Sequence, residues 1–246
     1  MSEATAAARS AQAKGSRQIG GIPRVIAIDG PAAAGKSTVG RLIAARLGYP
    51  FLDTGAIYRA MTWTALHRGV DLSDEDALSD LAASISVDVG PPVDGSIEPC
   101  TIFVDGEDVT SRLRQPEVEA AVSLVSRVAG VREALLKVQR DLAGRNAVVM
   151  AGRDIGTVVL PRADLKVYLD ASVDERARRR HAELSALGMD FSEEEVRRDL
   201  SRRDRIDSQR SVSPLRPAGD AIAIDTDGLT LEEVVQRLAD LIEGSE

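Results

Sequence analysis

A glycine-rich loop, Gly30-Pro-Ala-Ala-Ala-Gly-Lys-Ser37, is the feature that most constrains what this chain can fold into. It follows a short apolar run directly and precedes a segment with helical periodicity. Gly30 and Gly35 permit backbone conformations that a Cβ would hinder, so consecutive N–H groups can turn toward an anion at the start of a helix. Lys36 can then reach the β- and γ-phosphates of a nucleotide, and the Ser37 hydroxyl can bind Mg²⁺. This setting of strand, loop and helix favours a phosphate-binding loop over a chance turn of small residues.

Length and charge narrow the class of protein. The 246 residues suffice for one large α/β domain with an insertion or for two small domains, and one domain is expected. A net charge of −8 argues against nonspecific binding to nucleic acid or to acidic membranes, because both need a positive surface. No apolar run approaches the length of roughly 18 residues that a membrane span needs. The single cysteine, Cys100, rules out an internal disulfide, which fits the reducing cytoplasm as the predicted location.

Residues 1–22 are rich in Ala, Ser and Gly and carry scattered basic residues. They lack the apolar segment of a secretory signal, so a flexible N-terminal tail is predicted, with an organellar transit peptide as the alternative. The folded domain is expected to span 23–246.

Apolar runs that alternate with amphipathic segments predict a parallel sheet with helices on both faces. The predicted core strands are 24–29, 50–52, 146–150, 165–169 and 221–224. The predicted helices are 37–47, 54–68, 74–84 with Ser73 as N-cap, 116–127, 131–143, 175–187, 193–208 and 231–242. Period-2 alternation at 84–89 and an apolar run at 101–104 predict an inserted antiparallel unit. Ligands are expected at the carboxyl ends of the parallel strands.

Two further loops follow predicted core strands and are expected to open toward the same crevice. One is Asp53-Thr-Gly-Ala-Ile-Tyr-Arg59, and the other is Gly152-Arg-Asp-Ile-Gly-Thr157. Arg59 and Arg153 would supply planar guanidinium groups suited to a phosphate dianion, although each taken singly could form a surface ion pair. Asp53 is interpreted as a cap of the turn that follows it.

Arginine is dense in two later segments, 174–180 and 202–210. Such segments can be solvated helix faces, or they can form a mobile flap whose arginines close over ATP and exclude water. In the second segment Arg203, Asp207 and Arg210 share one helical face. Because these segments lie downstream of a phosphate loop, the mobile flap is an alternative to the solvated surface helix.

Five motifs in this order and spacing give the chain a specific resemblance: IDGPAAAGKST, LDTGAIYR, GRDIGT, LDASVDERARRR and RRDRIDSQR. From about residue 24 to 242 the chain resembles the bacterial cytidylate kinases, which are P-loop nucleoside monophosphate kinases. The resemblance implies an α/β P-loop kinase with a five-stranded parallel sheet, an inserted NMP-binding subdomain at about 84–126 and a lid at about 173–210. It implies ATP-dependent phosphorylation of CMP and dCMP to CDP and dCDP in pyrimidine nucleotide metabolism.

The same resemblance implies CMP, dCMP and ATP as partners, with Mg²⁺. Charge and the lack of a long apolar run predict no nucleic-acid or membrane partner, and a monomer is expected. The implied ATP-binding residues are Gly30, Pro31, Ala32, Ala33, Ala34, Gly35, Lys36, Ser37 and Thr38, with Ser37 as metal ligand. The implied catalytic residues, which would stabilise charge during in-line transfer, are Lys36, Arg153, Arg176, Arg179 and Arg180. The implied substrate-binding residues are Thr54, Arg59, Arg153 and Arg210 for the CMP phosphate, Arg203 and Asp207 for the ribose, and Ser123, Arg132 and Asp154 for cytosine.

Cytosine carries an N4 amino donor beside the N3 and O2 acceptors, so an acceptor such as Asp154 and a donor such as Arg132 suit it. Uracil has an oxygen at that edge and would lose a hydrogen bond to the carboxylate. Ser123, taken alone, also fits a core hydroxyl with its hydrogen bond satisfied.

Many relatives have an acidic residue where this chain has Ala151. Ser37, bridging waters and Asp29 are then expected to hold the ion. A UMP or shikimate kinase on the same scaffold and a non-catalytic ATP-binding regulator are the alternatives.

Overall fold

The computed structural model describes residues 21–92, 100–144 and 147–244, so the predicted tail lies almost entirely outside the described residues. The strands within these ranges are β1 (Val25–Asp29), β2 (Phe51–Asp53), β3 (Val87–Gly90), β4 (Thr101–Val104), β5 (Glu107–Asp108), β6 (Val148–Gly152), β7 (Leu165–Asp170) and β8 (Ile222–Asp225). The helices are α1 (Lys36–Leu47), α2 (Thr54–His67), α3 (Glu75–Ser84), α4 (Pro116–Val125), α5 (Ala129–Ala143), α6 (Val173–Ala186), α7 (Glu193–Gln209) and α8 (Leu231–Glu243).

Five strands form one parallel sheet in the order β2-β6-β1-β7-β8, which confirms the predicted fold class. β1 lies in the centre, where Asp29 at its end is level with Gly152 of β6 and with Tyr168 of β7. Asp53 at the end of β2 is level with Ala151. The carboxyl ends of these strands therefore meet at one edge, as expected for a ligand-binding edge.

Alternation along the strands divides the core into two layers. On β1, Ile26 and Ile28 face one layer, where they pack with apolar residues of α1 and α8, and Ala27 faces the other. On β6, Met150 likewise joins the second layer while Val149 joins the first. Successive side chains of a strand point to opposite faces, so both faces of this sheet are buried under helices.

The predicted antiparallel insertion is present as a three-stranded sheet in the order β3-β4-β5. Its apolar side chains Ile102, Val104 and Val109 are buried in the same cluster as Ile57 and Met61 of α2. The insertion therefore packs onto the main core instead of enclosing a core of its own.

Helices α6 and α7 form a helical hairpin above the phosphate loop. A small apolar cluster joins them to that loop through Ala32, Ala177, Val196 and Leu200. Side chains at both N-termini cap the helices, Ser172 for α6 and Ser192 in a capping box for α7. The hairpin contains the two arginine-dense segments.

Several local predictions differ from the structure. The N-cap of α3 is Asp74, whose carboxylate accepts from the Ala77 N–H, and not Ser73. The two-residue strand β5 and the turn of π-helix at Ile155–Val159 were not predicted, because both are too short to have a periodicity. The predicted strand 146–150 is found at Val148–Gly152, with residue 146 outside the described residues.

Candidate active site

The phosphate loop connects β1 to α1 in a conformation that two glycines make possible. A Cβ on Gly30, whose φ is 150°, would lie 2.0 Å from the carbonyl oxygen of Leu169. Gly35 has a φ of 84° with open space around it, so there only the backbone conformation calls for glycine. Ala33 also has a positive φ, of 59°. The loop is thus pressed against β7 at its start and turned inward along its length.

The start of α1 suits an anion. Among the described residues no side chain caps this helix, whose N-cap is Gly35. Its first N–H groups and the positive end of its dipole therefore face the cleft. The Lys36 ammonium donates to the Pro31 carbonyl at 2.5 Å. Burial and the nearby Arg153 lower the pKa of Lys36 well below its ordinary value, and a polyphosphate at this loop would supply the missing opposite charge.

Ser37 and Asp53 place two oxygen ligands side by side. The Ser37 hydroxyl donates to Asp53 Oδ2 at 2.8 Å, while Asp53 Oδ1 accepts from the Gly55 N–H at 2.9 Å. Burial alone would raise the pKa of Asp53, but Arg59 and the Ser37 hydroxyl hold it below its usual value. Asp53 is therefore the cap that the sequence predicted and also an ionised group beside Ser37 of the phosphate loop, a position that the sequence did not reveal.

Asp29, which was expected to help hold the ion with Ser37, instead contacts the loop after β6. Its two carboxylate oxygens accept from the N–H groups of Ile155 and Gly156, each at 2.7 Å. Burial raises its pKa to about 6. In this arrangement Asp29 fixes the loop after β6, and Asp53 is the carboxylate that contacts Ser37.

Arg153 links the phosphate loop to helix α7 of the hairpin. Its Nε donates to Asp207 Oδ2 at 2.9 Å, and its Nη1 donates to the Gly30 carbonyl of the phosphate loop at 3.2 Å. Arg210 lies beside it, with Nη1 3.7 Å from Asp207 Oδ1 and Nη2 3.8 Å from Asp154 Oδ1. The structure thus brings Arg153 and Asp154 next to Asp207 and Arg210, although the two pairs lie more than fifty positions apart in the sequence.

The residues predicted for the base form a buried group next to these. Arg132 donates to Asp154 Oδ2 at 2.5 Å and to the Ser126 carbonyl at 3.0 Å, and its guanidinium carbon lies 5.2 Å from the centre of the Tyr58 ring. Ser123 is also buried and lines the same cavity. A donor and a carboxylate therefore lie side by side in a pocket with an aromatic wall.

A second ion-pair cluster surrounds a residue that the sequence analysis did not select. Arg59 Nη2 lies 3.6 Å from Asp53 Oδ2, and Arg59 Nε lies 3.9 Å from Glu119 Oε1. Glu119 Oε2 accepts from Arg203 Nη1 at 3.2 Å, and its Oε1 lies 3.6 Å from Arg114 Nη1. Nothing in the segment Glu117-Val-Glu119 distinguishes this carboxylate from an ordinary polar helix position.

The predicted lid arginines occupy three different environments. Arg176 is buried and donates to the Ala32 carbonyl of the phosphate loop at 3.1 Å, while its Nη2 lies 2.7 Å from Asp204 Oδ2. Arg179 pairs with Glu175 and donates to the Thr226 carbonyl at 2.6 Å. Arg180 pairs with Glu183 at 3.0 Å.

One cleft of about 590 Å³ contains both ends of the site. The predicted residues that line it are Ala32, Ala33, Ala34, Gly35, Lys36, Ser37, Thr38, Thr54, Arg59, Ser123, Arg132, Arg153, Asp154, Arg179, Arg180, Arg203, Asp207 and Arg210. Gly30, Pro31 and Arg176 are buried and do not line the cleft. Thr54 donates to the Ala151 carbonyl at 3.0 Å and so links α2 to β6. The phosphate loop and the arginine clusters therefore line a single continuous cavity.

Two features are absent from the described ranges. No helix there is both long enough and apolar enough to cross a membrane. No three His, Cys, Asp or Glu side chains there are grouped as metal ligands.

A family model and two of the most similar relatives indicate one family. Residues 26–244 match the family model described as Cytidylate kinase. The cytidylate kinase of Geobacillus sp. (strain WCH70) is 51% identical over 217 residues, covering 88% of this chain and 95% of that protein. The cytidylate kinase of Geobacillus thermodenitrificans (strain NG80-2) is 52% identical with the same coverage. A solved gluconokinase from Sinorhizobium meliloti 1021 aligns with a TM-score of 0.47 and 19% identity, over 91% of this chain and 96% of that one. The resemblance predicted from five motifs is confirmed, and the chain belongs to the cytidylate kinase family.

Proposed function

We propose that this chain transfers the γ-phosphoryl group of ATP to CMP and dCMP, giving CDP and dCDP. The observation that carries the proposal is the single cleft with a phosphate loop at one end and clustered arginines beside the Arg132–Asp154 pair at the other. Relatives that are named cytidylate kinases and are about half identical over nearly their whole length support it. They do not favour a UMP kinase, a shikimate kinase or a non-catalytic regulator.

At the donor end, the N–H groups of the phosphate loop and the Lys36 ammonium bind the ATP phosphates. The Ser37 hydroxyl and the Asp53 carboxylate, 2.8 Å apart, fit Mg²⁺, which prefers oxygen ligands and is held in such sites by one or two carboxylates, waters and phosphates. When bound there, the ion would neutralise charge on the β- and γ-phosphates.

At the acceptor end, Arg59, Arg153 and Arg210 bind the CMP phosphate. Each already contacts a carboxylate, so the incoming dianion replaces or shares existing ion pairs and does not have to assemble free side chains. A guanidinium group can bind two phosphate oxygens at once, which fixes the orientation of the nucleophile. Arg203 and Asp207 lie at the adjacent part of the cleft, where they bind the ribose.

The reaction is a direct in-line displacement. A phosphate oxygen of CMP forms a bond to the γ-phosphorus, and the bond from that phosphorus to the β–γ bridging oxygen breaks, leaving the electron pair on ADP. No strong general base is needed, because the attacking phosphate is already largely ionised near neutral pH. Lys36, Arg153, Arg179 and Arg180 stabilise the charge on the transferring group. Arg176, placed behind the loop, orients it through the Ala32 carbonyl.

Selection of the base falls to Asp154 and Arg132. Asp154 accepts a hydrogen bond from the cytosine amino group while keeping its contact with Arg132, since a carboxylate has about four lone-pair sites. Uracil offers no donor at that position and leaves the buried carboxylate facing an oxygen, which costs a polar contact. We also propose that the protein acts as a monomer in the cytoplasm.

Steady-state ADP release at fixed Mg-ATP tests the function with CMP, dCMP, UMP, AMP and shikimate as acceptors. CMP and dCMP are expected to have the highest kcat/KM of the five. Equal turnover of CMP and AMP would overturn the assignment of the base-reading residues, and turnover of shikimate alone would overturn the proposed function.

A further inference from the structure

Glu119 is a carboxylate within the cleft for which the reaction described above has no use. It lies on α4 of the insertion, and its side chain is only 16% exposed. Both of its oxygens face guanidinium groups, Oε2 at 3.2 Å from Arg203 and Oε1 at 3.6 Å from Arg114 and 3.9 Å from Arg59. A mostly buried charge needs such compensation, so the position is not that of an ordinary surface glutamate.

The three arginines come from three parts of the fold. Arg59 lies on α2 of the core, Arg114 precedes α4 in the insertion, and Arg203 lies on α7 of the helical hairpin. Glu119 is therefore the anion at which core, insertion and hairpin meet. Burial alone would raise the pKa of this carboxyl, but Arg59, Arg203 and Arg114 hold it below its ordinary value. The group consequently carries a full negative charge at neutral pH.

Two of these arginines have a part in the proposed function. Arg59 binds the acceptor phosphate, and Arg203 binds the adjacent ribose. A carboxylate that faces the same guanidinium groups holds them in place when no nucleotide is bound, and it repels a phosphate dianion that arrives beside it. The dianion has more charge and more acceptor oxygens than one carboxylate, so it can take over Arg59.

We propose that Glu119 is a positioning residue that competes with the phosphate of the nucleoside monophosphate for Arg59 of the acceptor site. The inference rests on the proposed function, which defines that acceptor site. Competition keeps the arginines arranged for binding and weakens the grip on the monophosphate. It also favours release of the diphosphate product, because the α-phosphate of CDP occupies the position that the CMP phosphate held.

Calorimetric titration of the full chain with CMP and with cytidine tests this inference. Glu119→Gln keeps the shape of the side chain and removes its charge, so CMP should bind about tenfold more tightly, the order expected for removing one like charge beside a partly buried anion. Cytidine lacks the phosphate, and its Kd should be unchanged. Glu119→Asp retains the charge and should stay within about threefold of the unmodified protein for both ligands.

Glu117→Gln is the matched control, because Glu117 lies on the same helix, is exposed and loses the same charge. Its Kd values for CMP and cytidine should stay within about twofold of the unmodified protein. A Glu119→Gln variant with unchanged thermal stability that binds CMP equally or more weakly would overturn the inference, as would equal tightening for cytidine. If the unmodified protein phosphorylates CMP in these cases, the proposed function stands and only the role of Glu119 fails. If the unmodified protein neither binds nor phosphorylates CMP, the proposed function itself fails.

Discussion

In the proposed complex, the donor phosphates meet backbone N–H groups and Lys36 of one loop, whereas the acceptor phosphate meets arginines of α2, of the loop after β6 and of the residue that follows α7. The donor loop is fixed by its backbone, since Gly30 approaches β7 too closely for any side chain. The acceptor arginines are fixed by ion pairs with Asp53, Glu119, Asp154 and Asp207. A rigid backbone loop and an exchangeable set of ion pairs would thus hold the two proposed substrates in different ways.

The comparison predicts where single changes act. A change at the donor end should alter catalysis or folding outright, because backbone geometry has no substitute. A change at the acceptor end should redistribute ion pairs and alter selectivity or affinity by smaller factors.

The largest effect is expected for Lys36→Ala. Loss of the ammonium removes charge stabilisation from the transferring group, so kcat with CMP should fall by a factor of about 100 to 1,000. Lys137→Ala, at an exposed position of α5, is the control and should retain full activity. Near-normal turnover of Lys36→Ala would show that the loop backbone alone carries donor binding.

Gly30→Ala should disrupt the phosphate loop itself. The added Cβ would meet the Leu169 carbonyl oxygen at 2.0 Å, so urea unfolding should show a loss of more than about 3 kcal/mol in stability. Gly35→Ala is the matched variant, because its φ is also positive but its surroundings are open, and it should cost about 1 kcal/mol. Equal losses for the two variants would mean that conformation, not close approach to β7, limits the loop.

Asp29 lies at the end of β1 and fixes the loop that contains Arg153, so the pH dependence of stability tests the connection between the two ends of the cleft. Its pKa is raised from 3.8 to about 6 in the folded protein, so the folded state binds more protons than the unfolded state between these values. Stability contributed by the protonated carboxyl is therefore present below about pH 4 and lost as the pH rises through about 6, by at most about 3 kcal/mol.

Urea unfolding of the unmodified protein and of Asp29→Asn between pH 4 and 7.5 measures this. The unmodified protein should lose stability relative to the variant as the pH rises. Asp141→Asn, exposed on α5, should follow the unmodified protein. A stability difference that does not change with pH would refute the raised pKa.

The smallest effect is expected at the base pocket. Asp154→Asn replaces an acceptor-only group by one that can also donate, so the ratio of kcat/KM for CMP to that for UMP should fall by about tenfold. Asp190→Asn, in the exposed turn between α6 and α7, should leave the ratio unchanged. An unchanged ratio in Asp154→Asn would indicate that another group reads the base.

Sequence patterns locate the phosphate loop more directly than the contacts among the clustered arginines, for a physical reason. The phosphate loop lies within eight consecutive residues, so motif and geometry coincide. The paired helices and the parallel strands also have clear periodicities, and most of their bounds were predicted within two or three residues. The position of Asp74 as N-cap was missed because Ser73 and Asp74 are adjacent and equally suited to cap a helix.

The acceptor end required tertiary structure. Glu119 contacts arginines on two other helices, and no local spacing reveals such partners. Asp29 and Asp53 each end a strand, and only the structure shows that Asp29 accepts from backbone N–H groups of the loop after β6 while Asp53 contacts Ser37. Resemblance to a family supplied the arginines together with Asp154 and Asp207, but it did not supply Asp53 or Glu119, the carboxylates that lie beside Arg59.

β1 is hydrogen-bonded along its length to β6 on one side and to β7 on the other. The phosphate loop, the loop after β6 and the helical hairpin therefore each start from one of three adjacent hydrogen-bonded strands of the same sheet. When the sheet bends, the starts of these three segments should move together. The distance between the donor phosphate and the acceptor phosphate should therefore change little.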